Sequence, residues 1–181
     1  MRTRYCLMIG LALALVFSHF AWGQIIKTPG CSVDLELVKL PSCAIVTKND
    51  HTYISAPFVQ PLFQGVNSRL ASTLLPDGAW AYLDRSGLVR VTGVAFFDNG
   101  ASSFHYGLVR IVRNGKYGLA NEQGILVSRL YDGMLEFAPD HCGWKACDSC
   151  HLKKFGEYSS FEGGNWFLLN RHARARSVTE K

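Results

Sequence analysis

The chain has 181 residues, 48% of them hydrophobic, and 19 Lys and Arg against 14 Asp and Glu leave a formal charge of +5. That length is enough for one domain with a sizeable core. So small a charge gives no electrostatic case for a nucleic-acid partner.

Residues 1–23 read as an export signal. Arg2 and Arg4 precede an apolar run over 6–17, and Ala21-Trp22-Gly23 puts small residues at the usual places before a cleavage at Gln24. A run of roughly a dozen apolar residues is short of the ~20 that span a bilayer. Cys6 lies too early to carry a lipid at the cleavage site, and no later stretch is long enough to span. The mature chain is therefore expected in the periplasm or secreted, with no transmembrane helix.

Residues 24–63 form an N-terminal segment. Val33, Leu35 and Leu37 alternate with Asp34 and Glu36, the period of a half-buried strand, and Pro41 closes it. Residues 44–47 and 52–55 flank Lys48-Asn49-Asp50-His51, a polar turn that predicts a hairpin. Pro57 and Pro61 make 56–63 an irregular connection. Residues 64–72 fit either a helical turn or a strand.

Residues 64–173 carry a threefold pattern. It runs Gly78-x-Trp80-x-x-x-Asp84-x-x-Gly87, then Gly115-x-Tyr117-x-x-x-Asn121-x-x-Gly124, then Gly164-x-Trp166-x-x-x-Asn170-x-x-Ala173. Each copy reads as two short strands around tight turns, and Asn114-Gly115 is a strong hairpin signal because both residues tolerate positive φ. One copy is too small to bury a hydrophobic face alone, so copies must stack. Tyr131-Asp132-Gly133 and Phe97-Asp98-Asn99-Gly100 add aromatic–Asp turns, with Phe104 and Phe137 following as covers. No apolar stripe of helical period is long enough to demand a long helix. The expected fold is all-β: repeated antiparallel hairpins stacked into a curved sheet or short solenoid, with few helices. Arg174, Arg176 and Lys181 make 174–181 a basic, solvated tail, continuing from Arg171.

The middle copy resembles the WG-repeat (KWG) family of bacterial exported proteins. It holds Gly107-Leu108-Val109-Arg110-Ile111, Asn114-Gly115-Lys116-Tyr117-Gly118, Asn121 to Gly124 and Tyr131-Asp132. The likeness runs over about 46–173, and the outer copies diverge, Trp80 being followed by Ala81 and Trp166 by Phe167. The resemblance implies a repeat-built β protein and supplies no shared catalytic residues. Trp80, Tyr117 and Trp166 are expected inside the stack, each burying a large ring; the alternative is a row of exposed rings that stacks sugars or peptide side chains.

Chemistry is concentrated in His141-Cys142-Gly143-Trp144-Lys145-Ala146-Cys147-Asp148-Ser149-Cys150-His151. Export favours oxidation, and the expected pairs are Cys31 with Cys43 and Cys147 with Cys150, leaving Cys142 over. Cys142–Cys147 is the competing bridge. The resemblance implies the second pair, since some family members carry a Cys-x-Gly-Cys just before the last repeat, where this chain has Ser149 in place of the glycine. Cys147-x-x-Cys150-His151 also matches a c-type haem attachment motif, although Met134 is the sole mature Met available as a sixth ligand. A structural metal on Cys142, Cys147, Cys150 and either His141 or His151 is a third reading, and thiol–disulfide exchange a fourth.

Elsewhere the chain lacks a nucleophile elbow, a His-Glu-x-x-His and a phosphate loop. His51, His105 and His172 stand alone, and Glu157 and Glu162 lie in a glycine-rich loop. The expectation is a non-enzymatic binding or structural module with no cofactor and no metal, whose partner is an unknown protein or cell-envelope ligand. Its runner-up is a small periplasmic haem or thiol redox protein.

Overall fold

The computed structural model describes residues 25–28, 31–34, 39–65, 67–97 and 99–178. The expected export signal over 1–23 lies outside the described residues, as does the end of the strand expected over Val33–Leu37. Among those described, no helix is long and apolar enough to cross a membrane.

The N-terminal segment begins with β1 (Ile25–Thr28) paired to β2 (Cys31–Asp34). Next, β3 (Ile45–Lys48) and β4 (His51–Ile54) form the predicted hairpin, with Asn49 and Asp50 both at positive φ in its turn. Residues 56–63 depart from the expected irregular connection, because Ala56–Leu62 is a helix, α1. Pro57 sits in the first turn, where its missing N–H would have had no partner anyway. Pro61 falls in the last turn and the helix stops after Leu62. What holds so short a helix is packing: Phe58, Val59 and Phe63 are buried with Ala44, Ile54, Ala81 and Leu83.

Residues 64–72 resolve towards strand, as part of β5 (Leu70–Leu74). It joins β6 (Trp80–Asp84), β7 (Val89–Val94), β10 (Leu108–Arg113) and β11 (Lys116–Asn121) in an antiparallel sheet ordered β11-β10-β7-β6-β5. Between β7 and β10 lies a two-residue-stranded hairpin, β8 (Phe96–Phe97) with β9 (Gly100–Ala101). A second sheet, ordered β12-β13-β16-β17, holds β12 (Met134–Ala138), β13 (Gly143–Asp148), β16 (Asn165–Asn170) and β17 (Ala175–Val178). The hairpin of β14 (His151–Phe155) and β15 (Tyr158–Glu162) is inserted between β13 and β16. The chain is thus mostly β and antiparallel, but its described strands form open sheets and small hairpins, not a solenoid. The described part of the expected basic tail over 174–181 is strand from Ala175 to Val178, because β17 pairs with β16.

The two larger sheets share a core. Leu108 and Leu119 from the first are buried with Leu135, Trp144, Ala146 and Leu169 from the second, and Tyr131 lies between them. A separate cluster of Val91, Val94, Val109, Ile111 and Ala120 fills the first sheet's other contact. Burying side chains of this size contributes about 1.5–3 kcal/mol each against exposure.

Candidate functional site

The threefold pattern maps onto three strand pairs in matching register. Trp80 faces Leu74 and Asp84 faces Leu70. Tyr117 faces Val112 and Asn121 faces Leu108. Trp166 faces Cys147 and Asn170 faces Gly143, although the β14–β15 hairpin separates these strands in sequence.

Each pair ends in the same corner. Asp84 Oδ1 accepts from the N–H of Ser86 at 2.9 Å and of Leu88 at 3.3 Å. Asn121 Oδ1 accepts from Gln123 and Ile125, both at 3.0 Å. Asn170 Oδ1 accepts from His172 at 2.9 Å and Arg174 at 3.1 Å. In all three corners the residue three places on donates its N–H back to the Asp or Asn carbonyl. That residue is Gly87, Gly124 or Ala173, at φ of 87°, 78° and 62°. A short side chain that accepts two backbone N–H groups is why only Asp or Asn serves, and the left-handed corner is why glycine follows.

The aromatic rings border the core: Trp80 packs against the Val91, Val94 and Val109 cluster and Tyr117 against that of Leu119 and Trp144. Trp80, Tyr117 and Trp166 are each half-buried. Alternation along β6 and β16 explains this for the two tryptophans, since Ala81, Leu83 and Leu169 take the opposite, buried face; in β11 the residues after Tyr117, Gly118 to Ala120, are buried in succession. Two of the rings carry cations. Lys145 Nζ sits 4.2 Å from the Trp166 ring centre, and the Arg110 guanidinium 5.8 Å from Tyr117 and 4.9 Å from Phe97. Arg110 is itself buried and donates Nη1–H to the Leu135 carbonyl at 2.7 Å. Burial lowers its pKa, while Tyr117 and Glu136 act to raise it.

In the cysteine segment, Cys147 and Cys150 are bridged, with Cα atoms 6.0 Å apart. Cys147 is fully buried, and its sulfur lies against Gly133, where even a Cβ would come within 2.8 Å of it. Both sulfurs of the Cys-x-x-Cys-His motif are thus spent on the bridge, and His151 opens an exposed strand. Cys142 is free and exposed just before β13. An extended strand carries it ~16 Å from Cys147, far beyond disulfide reach, which removes both the competing bridge and a shared metal site. Among the described residues no group of three His, Cys, Asp or Glu could hold a metal. Cys43 is disulfide-bonded, but its expected pairing with the Cys31 sulfur lies outside the described residues.

The isolated histidines separate by environment. His105 stacks on Phe137 at 3.8 Å, nearly parallel, with Trp144 edge-on at 5.8 Å, and burial lowers its pKa. His51 is exposed, and exposed His172 accepts from Arg171 Nε at 3.2 Å. Glu162 pairs with Lys153 at 3.0 Å and does not face Glu157 as an acid–base partner. Trp144, the largest fully buried side chain, was missed as a core residue; its alternation with Lys145 and Ala146 within the cysteine segment was the available signal.

Two open cavities border these elements. One of about 870 Å³ lies between α1 and the β6–β7 turn, lined by Pro57, Gln60, Phe63 and Arg85. The other, about 400 Å³, lies beside β17 and is lined by His141, Leu168, Asn170, Arg174 and Arg176. Comparison with protein-family models, curated proteins and solved structures finds no match to this chain.

Proposed function

We propose that this chain is an exported, non-catalytic module of the WG-repeat type, which binds or scaffolds a protein or cell-envelope ligand in the periplasm or outside the cell. The observation that carries the reading is the triplicated corner: three strand pairs in one register, each closed by the same Asp or Asn acceptor and the same left-handed residue. Structure repeated at equal offsets while its ring neighbours vary is the mark of a scaffold that presents a surface. The half-buried Trp80, Tyr117 and Trp166 supply aromatic area on that surface. Export is supported by the N-terminal signal pattern and by the Cys147–Cys150 bridge, which suits an oxidising compartment.

Fractionation of bacteria expressing the full chain tests the compartment. Protein beginning at Gln24 in periplasm or medium is the expected result; uncleaved chain in the cytoplasm overturns export. A photoreactive residue at position 80, 117 or 166 is expected to trap an envelope component. Silence at all three positions overturns the ring surface as the binding face.

A further inference from the structure

The groove beside β17 carries cations that no described residue neutralises. Asn170 donates its N–H to the Arg174 carbonyl at 3.1 Å, extending the β16–β17 ladder, so Arg174 and Arg176 lie two apart on extended chain and share a face. Both are exposed, and neither guanidinium has an ion-pair or hydrogen-bond partner among the described residues. Across the groove stands His141, whose Nε2 is 3.2 Å from Asp140. Glu136 shares the Arg176 row but stands at β12, opposite Lys145. Asn170 spends its Oδ1 on the corner, and Leu168 gives the groove an apolar wall.

We propose that this groove binds an anionic group, phosphate or carboxylate, borne by a small polyanion. A guanidinium offers a planar fork that matches both oxyanions, and two forks on one face fit a ligand with two charges in series. At about 400 Å³ the open groove holds more than a bare ion. β17 is the sheet edge, so a ligand approaches from the open side without displacing a strand. This inference goes beyond the scaffold reading and stands whether or not the chain is exported.

The test is calorimetry on the full chain with tripolyphosphate and, separately, with trigalacturonate, at low and at physiological salt. At least one is expected to bind saturably at one site and more weakly in salt, and which one binds separates phosphate from carboxylate. The pair Arg174→Gln with Arg176→Gln is expected to lose about tenfold in affinity. The charge-matched pair Arg113→Gln with Lys116→Gln, at the distant β10–β11 turn, should stay within about twofold, since it removes charge without touching the groove. Should the first pair fail to fold, Arg174→Lys with Arg176→Lys keeps the charge, loses the forks, and is expected to weaken binding about threefold. The proposal is overturned if neither anion binds, if the two glutamine pairs lose affinity equally, or if the lysine pair binds as wild type.

Discussion

Asp84, Asn121 and Asn170 do the same work with different charge, and the acid alone makes its corner sensitive to pH. Burial raises the Asp84 carboxyl, but hydrogen bonds from Ser86 and the 2.7 Å ion pair with Arg90 outweigh it and hold the pKa below its ordinary value. A depressed carboxylate stabilises the fold above its unfolded pKa of about 3.9, and that stability is lost as pH falls through the lower folded value. His105 acts at milder acidity. Its folded pKa lies below the unfolded value of about 6.5, so the unfolded chain takes the proton first and stability declines as pH drops past that point. Acid melts should therefore show two losses. Asp84→Asn is expected to abolish the lower one and His105→Phe the upper; profiles unchanged by either substitution would refute these assignments.

The corners offer a sharper residue-scale contrast. Gly124 is at positive φ, and a Cβ there would run into the Arg90 carbonyl of β7. Gly124→Ala should cost about 2–5 kcal/mol from left-handed strain and overlap together. Ala173 already tolerates the same conformation at the third corner. There, Ala173→Gly relieves about 1–2 kcal/mol of strain but surrenders a buried methyl and gains chain entropy in the unfolded state. It should stay within roughly 1 kcal/mol of wild type in urea titrations. A cost of about 2 kcal/mol for Ala173→Gly, matching that of Gly124→Ala, would refute the strain argument at the third corner.

Among the elements, the β14–β15 hairpin is the one the fold can spare. His151, Leu152, Lys153, Lys154 and Phe155 are all exposed along β14, so the pair contributes little to either core. Asp148 faces Asn165 at its base, which leaves the β13–β16 register closed without it. Replacing residues 149–164 by Asn-Gly should give a direct hairpin like β10–β11, at the cost of the Cys147–Cys150 bridge. Far-UV circular dichroism typical of sheet and a cooperative melt are the expected outcomes; loss of cooperativity would show that the hairpin or the bridge holds the second sheet. This insertion was not legible in the chain, because 149–164 carries turn residues at both ends and no buried face by which to place it. The corners, by contrast, were legible in the offsets of Asp84, Asn121 and Asn170, since backbone geometry dictates their residue types. Helix α1 was obscured by Pro57 and Pro61, whose positions in its first and last turns only the tertiary packing of Phe58 and Val59 reveals. The basic stretch at Arg174 and Arg176 read as tail because strand pairing at a sheet edge leaves almost no hydrophobic alternation.

At the scale of the whole molecule, the two sheets meet around a buried ring that the threefold pattern does not include. Trp144 is 2% exposed and packs edge-on against Phe137 at 5.5 Å, within the cluster that also holds Leu108 and Leu119 of the first sheet. Trp166 stands on the neighbouring strand β16 opposite Cys147, half-buried, with Lys145 over its ring. If the shared core makes the sheets one cooperative unit, truncating Trp144 must weaken both together. Trp144→Ala should cost about 3–5 kcal/mol, as large aromatic truncations in cores do. Trp166→Ala should cost only about 2 kcal/mol, in proportion to the ring area it hides. Hydrogen exchange decides between one unit and two. With Trp144→Ala, amides of β10 and β13 should lose protection by the same free energy, because opening either sheet uncovers the other. Protection lost in β13 alone would mean that the sheets unfold independently and that the core between them is contact without coupling.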